Sequence, residues 1–340
     1  MSNPDGTRDD LNVPVAGEVV PPSEAGAVRI IVEAIEKQVR AAAKEGPAPR
    51  DAHRKAHGCV RAEFRVLDRL PPALRVGLFA RPRTYQAWIR FSNGSGSAQA
   101  DSIGDGRGMA IKLMGVEQSP STTQDFVMIN HSAFFVRNAA DYVELETASS
   151  PVWFFVPSFN PFRLRFREGL VALAIVRKKV RNVLSIRYWS MTPYRFGDGA
   201  CKFSARPAGD PSPFVGTESP GFLHDNLARH LKKTSASFDF MVQLRTRPDS
   251  MPIEDPTITW DETAAPFVPV ASITIPPQDF DSPAQHAFCE NLSFTPWHCV
   301  PAHRPLGGIN RVRRVVYEHI SRLRHELNGV PRREPADLTV

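Results

Sequence analysis

Apolar positions along the chain follow two rhythms. Between Ile309 and Leu327 they recur at helical spacing: Val312, Val316, Ile320, Leu323 and Leu327 form one stripe at about 100° per residue. Leu306-Gly-Gly precedes this segment, which contains no Gly or Pro, so a helix starts near Ile309 or Asn310. Arg313, Tyr317 and Arg324 share a neighbouring stripe at offsets of four and seven, so one tyrosine is bracketed by two arginines. A second helix runs from Ala27 to Lys44, with Val28, Ile31, Ala34, Ile35 and Val39 in phase, until Gly46-Pro-Ala-Pro breaks it. The other rhythm has period two. Cys59 to Val66, Tyr85 to Ser92 and the segment entered by Asp105-Gly-Arg-Gly alternate as strands, as do Phe238 to Leu244 and Val268 to Ile275. Asn93-Gly-Ser-Gly-Ser97 is a turn, and its glycines match neither a dinucleotide fingerprint nor a P-loop.

Composition narrows the class. With 340 residues, 42% of them hydrophobic, the chain can build a large core, which excludes disorder as a whole. The net charge of +6 is spread without a run of five or six basic residues, so an anionic small ligand accounts for the arginines and no nucleic-acid partner is expected. Cys59, Cys201, Cys289 and Cys299 are too scattered for a disulfide framework and lack metal spacing. The N-terminus has no signal-peptide pattern and no run approaches about 18 apolar residues, so a soluble cytoplasmic protein is expected. The domain reading is a polar, mobile arm over 1–24, one domain over 25–330 and a tail over 331–340. From Arg163 to Ile186 the chain is both cationic and apolar, which fits a packed helix with solvated basic ends or a helix in weak contact with a membrane surface.

A phenol becomes a good ligand for ferric iron when a nearby cation favours its phenolate, and tyrosine ligation of haem iron is the pattern this produces. Arg313-Arg-Val-Val-Tyr317 followed by Arg324 resembles the proximal helix of the haem catalases. There Arg-x-x-x-Tyr supplies the axial phenolate, and the arginine seven residues on binds a haem propionate. Three further segments recur in the family's order. Arg50-Asp-Ala-His53-Arg-Lys, leading into a strand, is similar to the distal segment, which implies His53 as distal base and Arg50 as a propionate ligand, with His57 as the rival histidine. Arg90-Phe-Ser and Asp105-x-Arg-Gly-x-Ala-x-Lys are similar to a catalase pair in which the first arginine, here Arg90, binds a propionate. Asp125-Phe-Val-Met-Ile-Asn130-His-Ser-Ala-Phe134-Phe135-Val-Arg137 looks like the run carrying the distal asparagine and the phenylalanines above the haem. It departs in one respect: Ile129 falls at the asparagine's place and Asn130 one residue later, so either the backbone delivers Asn130 or the distal amide is missing.

The resemblance covers roughly residues 30 to 328 and is strongest to the short catalase-like haem peroxidases. It implies an α+β fold: an antiparallel β-barrel with flanking helices and a C-terminal proximal haem helix. It also implies haem b, with Tyr317 as metal ligand, His53 and Asn130 as catalytic residues, and Arg50, Arg90, Phe134, Phe135, Arg313 and Arg324 around the cofactor. The function expected is reduction of hydroperoxides, organic ones above all, by a small donor, with weak catalase activity. A hydroperoxide-rearranging enzyme of the allene oxide synthase kind and a non-catalytic haem-binding protein are the alternatives. Assembly into a homo-oligomer stays open.

Overall fold

The structure, a computed structural model, describes residues 14–156, 164–209 and 219–340. Residues 1–13 of the expected arm, and Arg163 of the cationic stretch, lie outside the described residues. Among the described residues nine strands form one antiparallel sheet: β1 (Ala56–Val66), β2 (Thr84–Asn93), β3 (Arg107–Met114), β4 (Thr123–Ile129), β5 (Tyr188–Trp189), β6 (Tyr194–Phe196), β7 (Gly199–Pro207), β8 (Ala236–Leu244) and β9 (Val268–Ile275). Their order is β5-β4-β3-β2-β1-β9-β8-β7-β6, and a further β5–β7 pairing closes eight of them into a barrel, with β6 a hairpin arm on β7. Closure removes the exposed strand edges that an open sheet would have to protect.

Side chains alternate across the barrel wall. Phe64, Ile89, Phe91, Met109, Ile111, Phe126 and Met128 point inward and join Phe203 and Phe240 in a filled core, where Phe126 and Phe240 approach to 4.6 Å between ring centroids. The interior is therefore occupied by its own aromatics. The complementary set faces outward: Arg90, Ala110 and Val127 are aligned across β2, β3 and β4, and beside them Ser92, Gly108 and Ile129.

Helices flank the barrel. These are α1 (Glu24–Ala42), α2 (Ala139–Thr147), α3 (Pro151–Phe155), α4 (Phe166–Arg177), α5 (Phe222–Leu231), α6 (Pro283–Asn291) and α7 (Gly308–Asn328). The α7 stripe packs on α1, with Val312, Val316, Ile320 and Leu323 against Ile31, Ile35 and Val39. Leu327, expected in that stripe, is 43% exposed because the last turn runs past the end of α1's contact. Gly329, at φ 63, ends the helix in the left-handed conformation that favours glycine.

Described residues of the N-terminal segment and of the C-terminal tail both make contacts with the body of the fold. Glu18 is buried and pairs with Arg304 at 2.6 Å and Arg311 at 3.0 Å, while Glu24 and Glu254 hold Arg311 at 2.6 and 2.9 Å. Gly307 and Gly308 donate their N–H groups to Glu18 and Glu254, so carboxylates fix the start of α7 where its dipole favours them. In the tail, Glu334 reaches the buried Lys112 at 2.7 Å, and Trp88 donates to the carbonyl of Asp337.

Candidate active site

Between the outer barrel face and α7 lies a cavity of about 550 Å³, within the usual range for a small-molecule site of about 300 to 1,000 Å³. Its walls come from the loop before β1, the outward rows of β2 to β4, α2, α4 and α7. Arg50, His53, Arg90, Phe134, Phe135, Arg313, Tyr317 and Arg324 all line it.

His53 has φ 56, a left-handed conformation rare for a residue with a side chain. A turn holds it: His53 and Arg54 donate their N–H groups to the carbonyls of Gly94 and Ser95 at 3.0 and 3.1 Å, and Arg90 donates to the carbonyl of His53 at 2.9 Å. Nδ1 of the imidazole shares a hydrogen bond of 3.1 Å with Ser92 Oγ, leaving Nε2 for a ligand. Burial, reinforced by Arg90 and Arg313, lowers the His53 pKa to about 4, so the ring is neutral at pH 7 and able to accept a proton. His57, the rival, is fully buried away from the cavity and bonded to Asn93 at 2.8 Å.

Gly108 makes this placement possible. A Cβ there would stand 2.7 Å from His53 Nδ1 and 2.8 Å from Ser92 Oγ. Neither Ser92 nor Gly108 was singled out from the sequence for a role. The available signal was period two: Ser92 is two residues beyond Arg90 and so on the same outward face.

The arginines converge from three distant segments. Arg50 donates to the carbonyls of Cys289, Glu290 and Leu292 at the end of α6, Arg90 to those of His53 and Arg54, and Arg324 to Ala48 O and the Glu290 carboxylate. Nε of Arg50 and Nε of Arg90 are buried without a hydrogen-bond partner among the described residues. The crowding is electrostatically costly: burial, then Arg90, pulls Arg50 down to about 10, with Glu290 opposing and Arg324 adding to the fall. Two unsatisfied guanidinium donors in a cationic cluster fit a bound carboxylate-bearing group such as a haem propionate.

Tyr317 lies one turn from Arg313 on α7. Arg313 does act to lower its pKa, as expected, but burial outweighs that and Asp51 opposes it, so the phenol sits above its ordinary value. Arginine alone therefore does not make the phenolate; a bound metal cation would have to complete the deprotonation. Arg313 itself is fixed by Thr192 and Asn310 and stands 5.2 Å from the ring centroid of Phe134.

Asn130 is not among the residues that line the cavity. Its Oδ1 accepts the Arg107 N–H at 2.8 Å and its backbone N–H donates to the Arg107 carbonyl at 3.0 Å, while its Nδ2 is buried without a hydrogen-bond partner among the described residues. Ile129 takes the lining position and packs with Ile175 and Met191, with Phe134 and Phe135 alongside. Alternation decides the matter, since neighbouring residues at a strand end face opposite ways.

A closed eight-stranded antiparallel barrel with flanking helices is the catalase fold, and the chain has that fold. Among solved structures it is similar to a fungal catalase, with TM-score 0.66 and 17% identity over 86% of this chain. Catalase A from Saccharomyces cerevisiae matches 85% of the chain at 0.65 and 17%, and a bacterial catalase 89% at 0.62 and 16%. In each case the match spans 63% of the catalase chain. No protein-family model and no curated protein matches the sequence.

Proposed function

We propose that the chain is a haem-dependent peroxidase that reduces organic hydroperoxides. The reaction balances as ROOH + AH2 → ROH + H2O + A, where AH2 is a small two-electron donor. The observation that carries it is one cavity holding a neutral histidine, an arginine-flanked tyrosine and two buried guanidinium Nε groups, those of Arg50 and Arg90, without a hydrogen-bond partner among the described residues. When bound there, haem b supplies an iron that takes up the two oxidising equivalents released as the O–O bond breaks.

The protein's residues do the rest. Tyr317 would hold the iron through its phenol oxygen, and Arg313 would limit the basicity of that oxygen. Arg50, Arg90 and Arg324 would hold the propionates. His53 removes the hydroperoxide proton through Nε2 and returns it to the leaving oxygen, with Ser92 fixing the ring. Phe134, Phe135 and Ile129 keep water from the reacting oxygens.

Ile129 sets the substrate preference. Hydrogen peroxide presents polar atoms at both ends, and an unpaired buried polar group costs about 1 to 3 kcal/mol, whereas an alkyl hydroperoxide buries an alkyl group against Ile129, Ile175 and Met191. The haem-loaded protein should consume cumene hydroperoxide to the alcohol and release little oxygen from hydrogen peroxide. Steady oxygen evolution faster than turnover of the organic substrate would refute the proposal, and an isomerised product formed without donor oxidation would indicate rearrangement instead.

A further inference from the structure

Helix α4 is built inside out. Ala172, Ile175 and Val176 line the cavity, yet Phe166, Leu170 and Leu173, which share one face at offsets of four and seven, are 74%, 50% and 39% exposed. A surface helix ordinarily turns polar residues outward. Val152 and Trp153 of α3 and Leu164 add to the exposed apolar set, as does Ile103, whose neighbour Gly104 abuts the Val176 carbonyl. Of the 14 large hydrophobics that are exposed among the described residues, seven belong to this patch. A contiguous apolar patch of this kind marks an interaction surface.

The charge around it points to the partner. Arg165 pairs with Asp141 and Glu144 and Arg167 with Asp255, and the buried Glu168 pairs with Arg137, so the charge beside the patch comes from the basic cluster at the end of α4. Arg177, on the same α4 face, and Lys178, Lys179 and Arg181 just beyond it are exposed. Lysines are depleted at protein–protein interfaces, whereas apolar side chains bordered by lysine and arginine suit a bilayer surface that carries anionic headgroups.

We propose that the α3–α4 face docks on anionic phospholipid membranes and that the enzyme draws lipid hydroperoxides from them. Because α4 separates this face from the cavity, an acyl chain leaving the bilayer has one helix to pass before it meets Ile175 and Val176. The substrate half of this inference rests on the peroxidase reading; the docking half does not.

The haem-loaded protein should be sedimented with vesicles of phosphatidylcholine alone and of phosphatidylcholine mixed with phosphatidylglycerol. Binding is expected to the mixed vesicles, weakening as salt is raised. The double variant Phe166→Ser/Leu170→Ser should lose it, and Lys178→Glu/Lys179→Glu should weaken it by at least about fivefold per charge. Turnover of a phospholipid hydroperoxide in the vesicles should fall in both variants, while turnover of soluble cumene hydroperoxide stays at the parent level. Absence of binding to either vesicle, or binding by the serine variant equal to the parent, would overturn the docking. So would a parent oligomer that the serine variant converts to monomers while neither form binds vesicles. Loss of peroxidase activity on soluble substrate in the parent would count against the function and leave vesicle binding as a separate result.

Discussion

Replacing Gly108 by alanine is a sharp test of how the site is assembled. The new Cβ would sit 2.7 Å from His53 Nδ1 and 2.8 Å from both its Cε1 and Ser92 Oγ, where ordinary contact begins near 3.4 Å. The imidazole must therefore move by about 0.7 Å, and the Ser92 bond of 3.1 Å that sets its orientation must lengthen or break. The backbone cannot easily give way, because Gly108 is registered between Ser92 and Ile129 in the barrel ladder. A displacement approaching 1 Å in a reacting group costs on the order of a hundredfold in rate. Gly108→Ala should keep its haem spectrum and lose about a hundredfold in hydroperoxide turnover measured by donor oxidation. His53→Ala should fall to a similar or lower floor, and the double variant no further, because both act through one ring. Turnover of Gly108→Ala within threefold of the parent, or a further large loss in the double variant, would refute the placement of His53 as proton carrier.

Tyr317→Phe removes the oxygen assigned to the iron and should lose most haem or its phenolate absorption band; an unchanged spectrum would exclude Tyr317 as ligand. Alanine at Arg50, Arg90 or Arg324 should each speed haem transfer to a scavenging apoprotein without unfolding the chain, at roughly 1.5 to 3 kcal/mol per charge-assisted bond, and three unaffected variants would remove the propionate assignment. His303 is fully buried, accepts the Leu78 N–H at Nε2, and has its pKa lowered by burial to about 4. The unfolded chain therefore binds a proton there between about pH 6.5 and pH 4 that the folded chain does not, so stability falls as pH drops through that window by up to about 1.4 kcal/mol per unit. Urea midpoints at neutral and mildly acid pH should show this, and His303→Gln should flatten the slope; an unchanged slope would mean other groups set acid stability.

Much of the architecture was local information. The stripe from Val312 to Leu323, the Arg313–Tyr317–Arg324 spacing and the alternation of β1, β2, β8 and β9 depend on residues a few positions apart, which is the range over which backbone geometry acts. The strands β5 and β6, two and three residues long, were too short to show a period. What only the folded chain decided were the collective properties. The barrel fills its interior with phenylalanines, so the cavity had to form outside it, on the strand face that carries Arg90, Ser92 and Ile129. Arg50, Arg90 and Arg324 meet there although up to 274 residues separate them. The same closure turned Asn130 onto Arg107 and gave its place in the wall to Ile129. It also reversed the balance at Tyr317: the arginine four residues away was visible in the sequence, but the loss of water around the phenol, which outweighs it, depends on every element that closes over the cavity.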